Sequence, residues 1–131
     1  MKFMLMMHGS RAGFEALAKW KPEEFHAHIR FMLDLNAKLT SSGELVLAEG
    51  LDVPHNVKVV RAEAANAPIV SDGPFAETKE FLVGFWIVDC TSAQRAHEIA
   101  AMASVAPGPG GKPLAIPIEV RQVMSAPPID G

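Results

Sequence analysis

Two periods of hydrophobic spacing alternate along this chain. Residues 3–7 form a short continuous apolar run closed by Gly9, which predicts a buried strand. Residues 11–20 fit either a short helix or an irregular loop. Pro22 then supplies the fixed φ of a first helical turn, and Glu23 and Glu24 stand near the positive end of the helix dipole. At about 100° per residue, Ile29, Met32, Asn36 and Leu39 fall within about 40° of Phe25, with Arg30, Asp34 and Lys38 opposite. The spacing predicts an amphipathic helix over 22–41, with Gly43 placed to end it.

Beyond this helix the pattern turns to strands. One is expected at 45–51, and 57–61 with 68–71 read as a β pair around an Ala/Asn-rich turn. Residues 82–89 are apolar, β-branched and aromatic, the mark of a central buried strand. Thr91 or Ser92 caps a second helix over 93–103, whose Ala96, Ile99, Ala100 and Ala103 share one face. Residues 107–113 hold three prolines and three glycines and exclude regular structure. A last strand is expected at 116–123, with Pro117 tolerated near its start, and 125–131 as a flexible tail.

The order β, α, β, inserted β pair, β, α, β predicts a ferredoxin-like α+β domain over 1–124. Two helices cover one sheet face only. Phe3, Phe85, Ile87 and Val120 lie in strands apolar on both faces, so a homodimer joined sheet to sheet is expected.

Composition then narrows the function. With 131 residues, 49% hydrophobic and 21% charged, the chain is long enough to bury a core without a metal or disulfide staple. Twelve basic against 15 acidic residues give a net charge of -3, which argues against direct nucleic-acid binding. Cys90 is the single cysteine, so an intrachain disulfide and a multi-thiolate metal site are excluded. The apolar start is too short for a secretory segment, and no stretch approaches the ~20 apolar residues of a membrane span. A cytoplasmic protein without membrane attachment is therefore expected. His26 and His28 lie about 200° apart on a helix and cannot share one ion; neither a metal nor a cofactor is implied.

The stretch Val70-Ser71-Asp72-Gly73-Pro74-Phe75-Ala76-Glu77-Thr78-Lys79-Glu80, followed by Gly84-Phe85-Trp86, closely resembles the signature of the YCII-related family, in its DGPF branch. Met1-Lys2-Phe3-Met4-Leu5, Gly43-Glu44-Leu45, Glu49-Gly50-Leu51, Gly110-Gly111 and Ile118-Glu119-Val120-Arg121 also fit. The resemblance implies a dimeric α/β barrel of ferredoxin-like subunits. In the wider family it implies a paired histidine and aspartate, one lineage eliminating chloride from a chlorinated hydroxyquinol. Asp72 matches that aspartate; the histidine comes from the first long helix, where His26 and His28 are available. Association with sigma-factor-dependent transcription follows from family analogy alone.

Each candidate also has a plain structural reading. Asp72 before Gly73 and Pro74 suits a turn as well as a site carboxylate. His28 lies on the apolar side of its helix, where a histidine satisfied by one hydrogen bond competes with a catalytic base; His26 lies at the margin. His8 ends the first strand and serves either chemistry or a pocket wall. Glu77 and Lys79 fit a solvated turn or, alternatively, an assisting carboxylate and an anion-binding ammonium. Phe75 fits core or dimer packing or an apolar ligand wall. The expected function is thus small-molecule binding in a cleft near Asp72, with Asp72 and His28 as the catalytic pair if there is one, and His8, His26, Phe75, Glu77 and Lys79 as ligand contacts. The alternatives are an acid-base lyase or isomerase using a His-Asp pair, and a non-catalytic partner protein.

Overall fold

A computed structural model describes residues 1–74 and 79–124. Strands β1 (Lys2–Ser10), β2 (Leu45–Gly50), β5 (Glu80–Asp89) and β6 (Ile118–Gln122) form one antiparallel sheet in the order β2-β5-β1-β6. Helices α2 (Pro22–Ser41) and α3 (Ala93–Ser104) provide the two crossovers. This is the ferredoxin-like α+β arrangement expected from the element order. Strands β3 (Lys58–Arg61) and β4 (Ile69–Asp72) pair only with each other and form a separate exposed ribbon.

Segment 11–20 resolves into a short helix, α1 (Arg11–Ala16), and one 3-10 turn. The Ser10 hydroxyl accepts from the Gly13 amide at 3.0 Å, supplying the cap that starts α1. Helix α2 has the bounds that Pro22 and Gly43 predict. Glu44 N–H donates to Leu39 O and Gly43 N–H to Thr40 O, with Gly43 at φ 79°, a left-handed C-terminal stop. Strand β6 begins one residue after Pro117, because proline has no N–H to give the ladder.

The side chains of β1 and β5 alternate over Lys2–Met7 and Gly84–Asp89, up to a bulge between Met7 and His8. Phe3 opposite Val88 and Leu5 opposite Trp86 face the helices and are buried with Leu35, Leu39, Ala96 and Ile99. Met4 opposite Ile87 and Met6 opposite Phe85 face the other way and stay half-exposed. The inward stripe of α2 keeps Met32, Asn36 and Leu39 of the expected one and departs from it at Phe25 and Ile29. Leu35 and Leu39 are buried, with Met32 packed against the core, whereas Phe25 and Ile29 are 42% and 43% exposed. The helix carries a second apolar stripe of Phe25, Ile29 and Leu33, and one sheet can cover only one of the two. Phe25 packs instead edge-on against Trp20, ring centroids 6.0 Å apart. Among the described residues no helix is long and apolar enough to cross a membrane.

Candidate functional site

The site is built where α2 passes the end of β1. A cleft of about 430 Å³ opens there, within the size range of small-molecule sites. Its walls come from β1 (Met7, His8), α1 (Phe14), the following turn (Trp20), α2 (His28) and residues 114–117.

Three polar links hold the 107–117 segment against the helices. The Gly110 amide donates to the Glu24 carboxylate at 2.6 Å, His28 Nδ1 lies 3.1 Å from Pro107 O, and the Ser104 hydroxyl donates to Ile116 O at 2.7 Å. Glu24 also accepts from the Lys21 amide, and these backbone bonds, Lys21's first, hold its carboxyl below the usual range. Gly108 is required by close approach: a Cβ there would lie 2.4 Å from Leu114 Cδ2, with Trp20 also in contact. Ala115, in the cleft wall, adopts φ 53°, a left-handed conformation uncommon for alanine.

His28 occupies the centre of this arrangement. A carbonyl oxygen only accepts, so the Pro107 contact assigns a proton to Nδ1, and in the neutral ring Nε2 is then the acceptor. No hydrogen bond among the described residues engages Nε2. Trp20 meets the imidazole edge-on at 5.8 Å between centroids. His8, in the same cleft, has a buried Nε2 without a hydrogen-bond partner among the described residues; a carboxylate oxygen of Glu119 is 3.9 Å away.

The remaining candidates fall elsewhere. Asp72 closes the β3–β4 ribbon opposite Lys58, whose ammonium donates to its carboxylate; this bond and the adjacent charge lower the Asp72 pKa. Its side chain is 89% exposed. No hydrogen bond among the described residues joins Asp72 to a histidine. The loop chemistry after it is steric: Gly73 has no positive φ, but a Cβ would meet Val57 and Val59 at 2.9 Å. His26 is exposed on the outer side of α2, and Lys79 is exposed beside β5. Phe75 and Glu77 lie outside the described residues. Cys90 is buried, its thiol directed to Ser92 O.

Two further cavities border this region. One of about 280 Å³ lies between α2 and the sheet. The other, about 540 Å³, is an open groove between α1 and the Pro54 turn. Asp72 lines none of the three. Trp20 and the 114–117 wall had no motif to mark them. The available signal for Trp20 was an aromatic residue immediately before the Lys-Pro start of a helix, a place from which it folds back on the first turns.

A four-stranded antiparallel sheet, two crossover helices and a cleft with two histidines define a small ferredoxin-like α+β protein with a built pocket. Residues 1–107 match the YCII-related domain, and the chain belongs to that family. Strand β6 falls beyond the matched region yet pairs with β1 along five residues. An uncharacterised protein of Rhizobium meliloti (strain 1021) is 37% identical over 81 residues, covering 62% of this chain and 64% of the relative. The match thus spans just under two thirds of that relative.

Proposed function

We propose that this protein binds a small, largely apolar molecule in the cleft between Trp20, His8 and His28. The observation that carries the reading is the state of His28. Its Nδ1–H is committed to Pro107 O, which fixes ring and tautomer, while Nε2 is left free in the wall of an apolar cleft. A hydrogen-bond acceptor held in this way orients a ligand hydroxyl or N–H.

The same feature favours a second reading, acid-base chemistry with His28 Nε2 taking a substrate proton. The group orienting the imidazole is then a backbone carbonyl, with Asp72 serving the ribbon through Lys58. Two substitutions separate structure from function. An asparagine amide reaches roughly the position of Nδ1, and a glutamine amide that of Nε2. His28→Asn should keep the link to Pro107 and lose ligand affinity, measured by titrating a metabolite panel; His28→Gln should retain part of that affinity. Affinity unchanged in His28→Asn overturns the assignment.

The half-exposed Met4, Met6, Phe85 and Ile87 support a second copy of the chain as the cover of the helix-free sheet face. Sedimentation should show a dimer at micromolar concentration. A stable monomer rejects the sheet-to-sheet pairing.

A further inference from the structure

We propose that the ligand of this site is an elongated, uncharged amphiphile whose hydroxyl end sits between His8 and His28 and whose apolar body continues under α2 into the second cavity. The proposal rests on the cleft being a ligand site and adds the shape and chemical class of its occupant.

Three observations lead to it. The 430 Å³ cleft and the 280 Å³ cavity share Met7, His28 and Val83, so one layer of side chains at most divides them. Met7 is unbranched and flexible, a residue that yields to a chain passing beside it. The second cavity then offers apolar surface from Met32, Ala48 and Trp86. Its interior amide, Asn36, accepts from Trp86 Nε1 at 2.9 Å, so its oxygen is already engaged.

Both histidines lie at the cleft end, while Glu49 and the Asn36 amide border the second cavity. In the neutral ring His28 Nε2 can accept, and the buried His8 Nε2 has no hydrogen-bond partner among the described residues. A hydroxyl both donates and accepts, so it can donate to His28 Nε2 and accept from a protonated His8 Nε2. An anionic head group fits poorly. The described residues lining the cleft include no lysine or arginine, whereas Glu80 lines it and Glu119 lies beside His8.

The chain's two tryptophans make the proposal directly testable, because Trp20 lines the cleft and Trp86 the second cavity. The full chain is labelled with ring-fluorinated tryptophan, and its two fluorine resonances are assigned with Trp20→Phe. Straight-chain alcohols from butanol to decanol are then titrated, with decanoate at neutral pH as the charged control. Butanol should shift the Trp20 resonance alone, and octanol and decanol both resonances. Affinity should rise about threefold to fourfold per added methylene, and decanoate should bind at least tenfold more weakly than decanol. Ala48→Leu, which fills the second cavity, should abolish the gain with length while butanol still binds.

A Trp20 response without gain in length and with Trp86 silent overturns the elongated ligand and leaves the cleft reading standing. Decanoate binding as tightly as decanol overturns the uncharged head. Absence of any response to alcohols overturns the proposal outright, and the metabolite panel with His28→Asn then judges the cleft separately.

Discussion

Glu44 follows the glycine stop of α2, and its carboxylate grips Arg95 of α3 with two parallel bonds, Nε to Oε2 at 2.8 Å and Nη2 to Oε1 at 2.9 Å. The Ser42 hydroxyl adds a third at 2.8 Å. Arg95, then Ser42, hold the Glu44 pKa down from 4.5 to about 2. A folded-state pKa below the unfolded one means that the pair stabilises the protein above about pH 4.5, and that this contribution disappears as pH falls toward 2. Converted directly, the depression sets a ceiling of about 3.4 kcal/mol. The carboxylate retains 16% of its exposure and the guanidinium 31%, so screening lowers the expectation to about 1–2 kcal/mol. Glu44→Gln preserves shape and one acceptor but removes the charge. Urea denaturation near pH 7 should show the variant less stable by that amount, and the difference should shrink steadily between pH 5 and pH 2.5. The comparison must be between the two proteins, because Glu24, Asp52 and Asp72 also have lowered pKa values and destabilise both equally in acid. Parallel stability curves for wild type and variant across that window would refute the clamp.

Three further outcomes follow from the same geometry. Asn36→Leu leaves the Trp86 indole N–H without its acceptor in a half-buried place, and chemical denaturation should show a loss of about 1–2 kcal/mol; an unchanged midpoint rejects that bond. Gly108→Ala forces Leu114 out of the cleft wall, so thermal melting should report about 1–3 kcal/mol of destabilisation together with weaker ligand binding. Asp72→Asn removes an exposed ion pair on the ribbon, and both melting temperature and ligand affinity should match wild type; lost affinity would return the carboxylate to the site.

What the sequence disclosed depended on how local each signal was. Helix α2 was readable to the residue because Pro22 and Gly43 act through their own φ angles. Strand β5 was readable because apolar residues on both of its faces leave a continuous apolar run. The inward stripe of α2 was readable only in its second half: Met32, Asn36 and Leu39 face the core as expected, whereas Phe25 and Ile29 do not, because the sheet beneath covers Leu35 instead. The Asp72 loop drew attention as a motif, yet its carboxylate meets Lys58 through the register of a ribbon, 14 residues back along the chain. The cleft is still less local. His8, Trp20, His28 and Leu114 come from four segments, and what unites them is a prolyl carbonyl 79 residues from the imidazole that faces it. No spacing encodes that contact. The Pro/Gly-rich stretch 107–113 read only as an interruption of regular structure. In the fold its irregular backbone is the means of the site: a helix or strand would spend the Pro107 carbonyl and the Gly110 amide on its own ladder. Left free of a ladder, those two groups hold His28 and Glu24 instead, and so set the orientation of the His28 imidazole in the cleft wall.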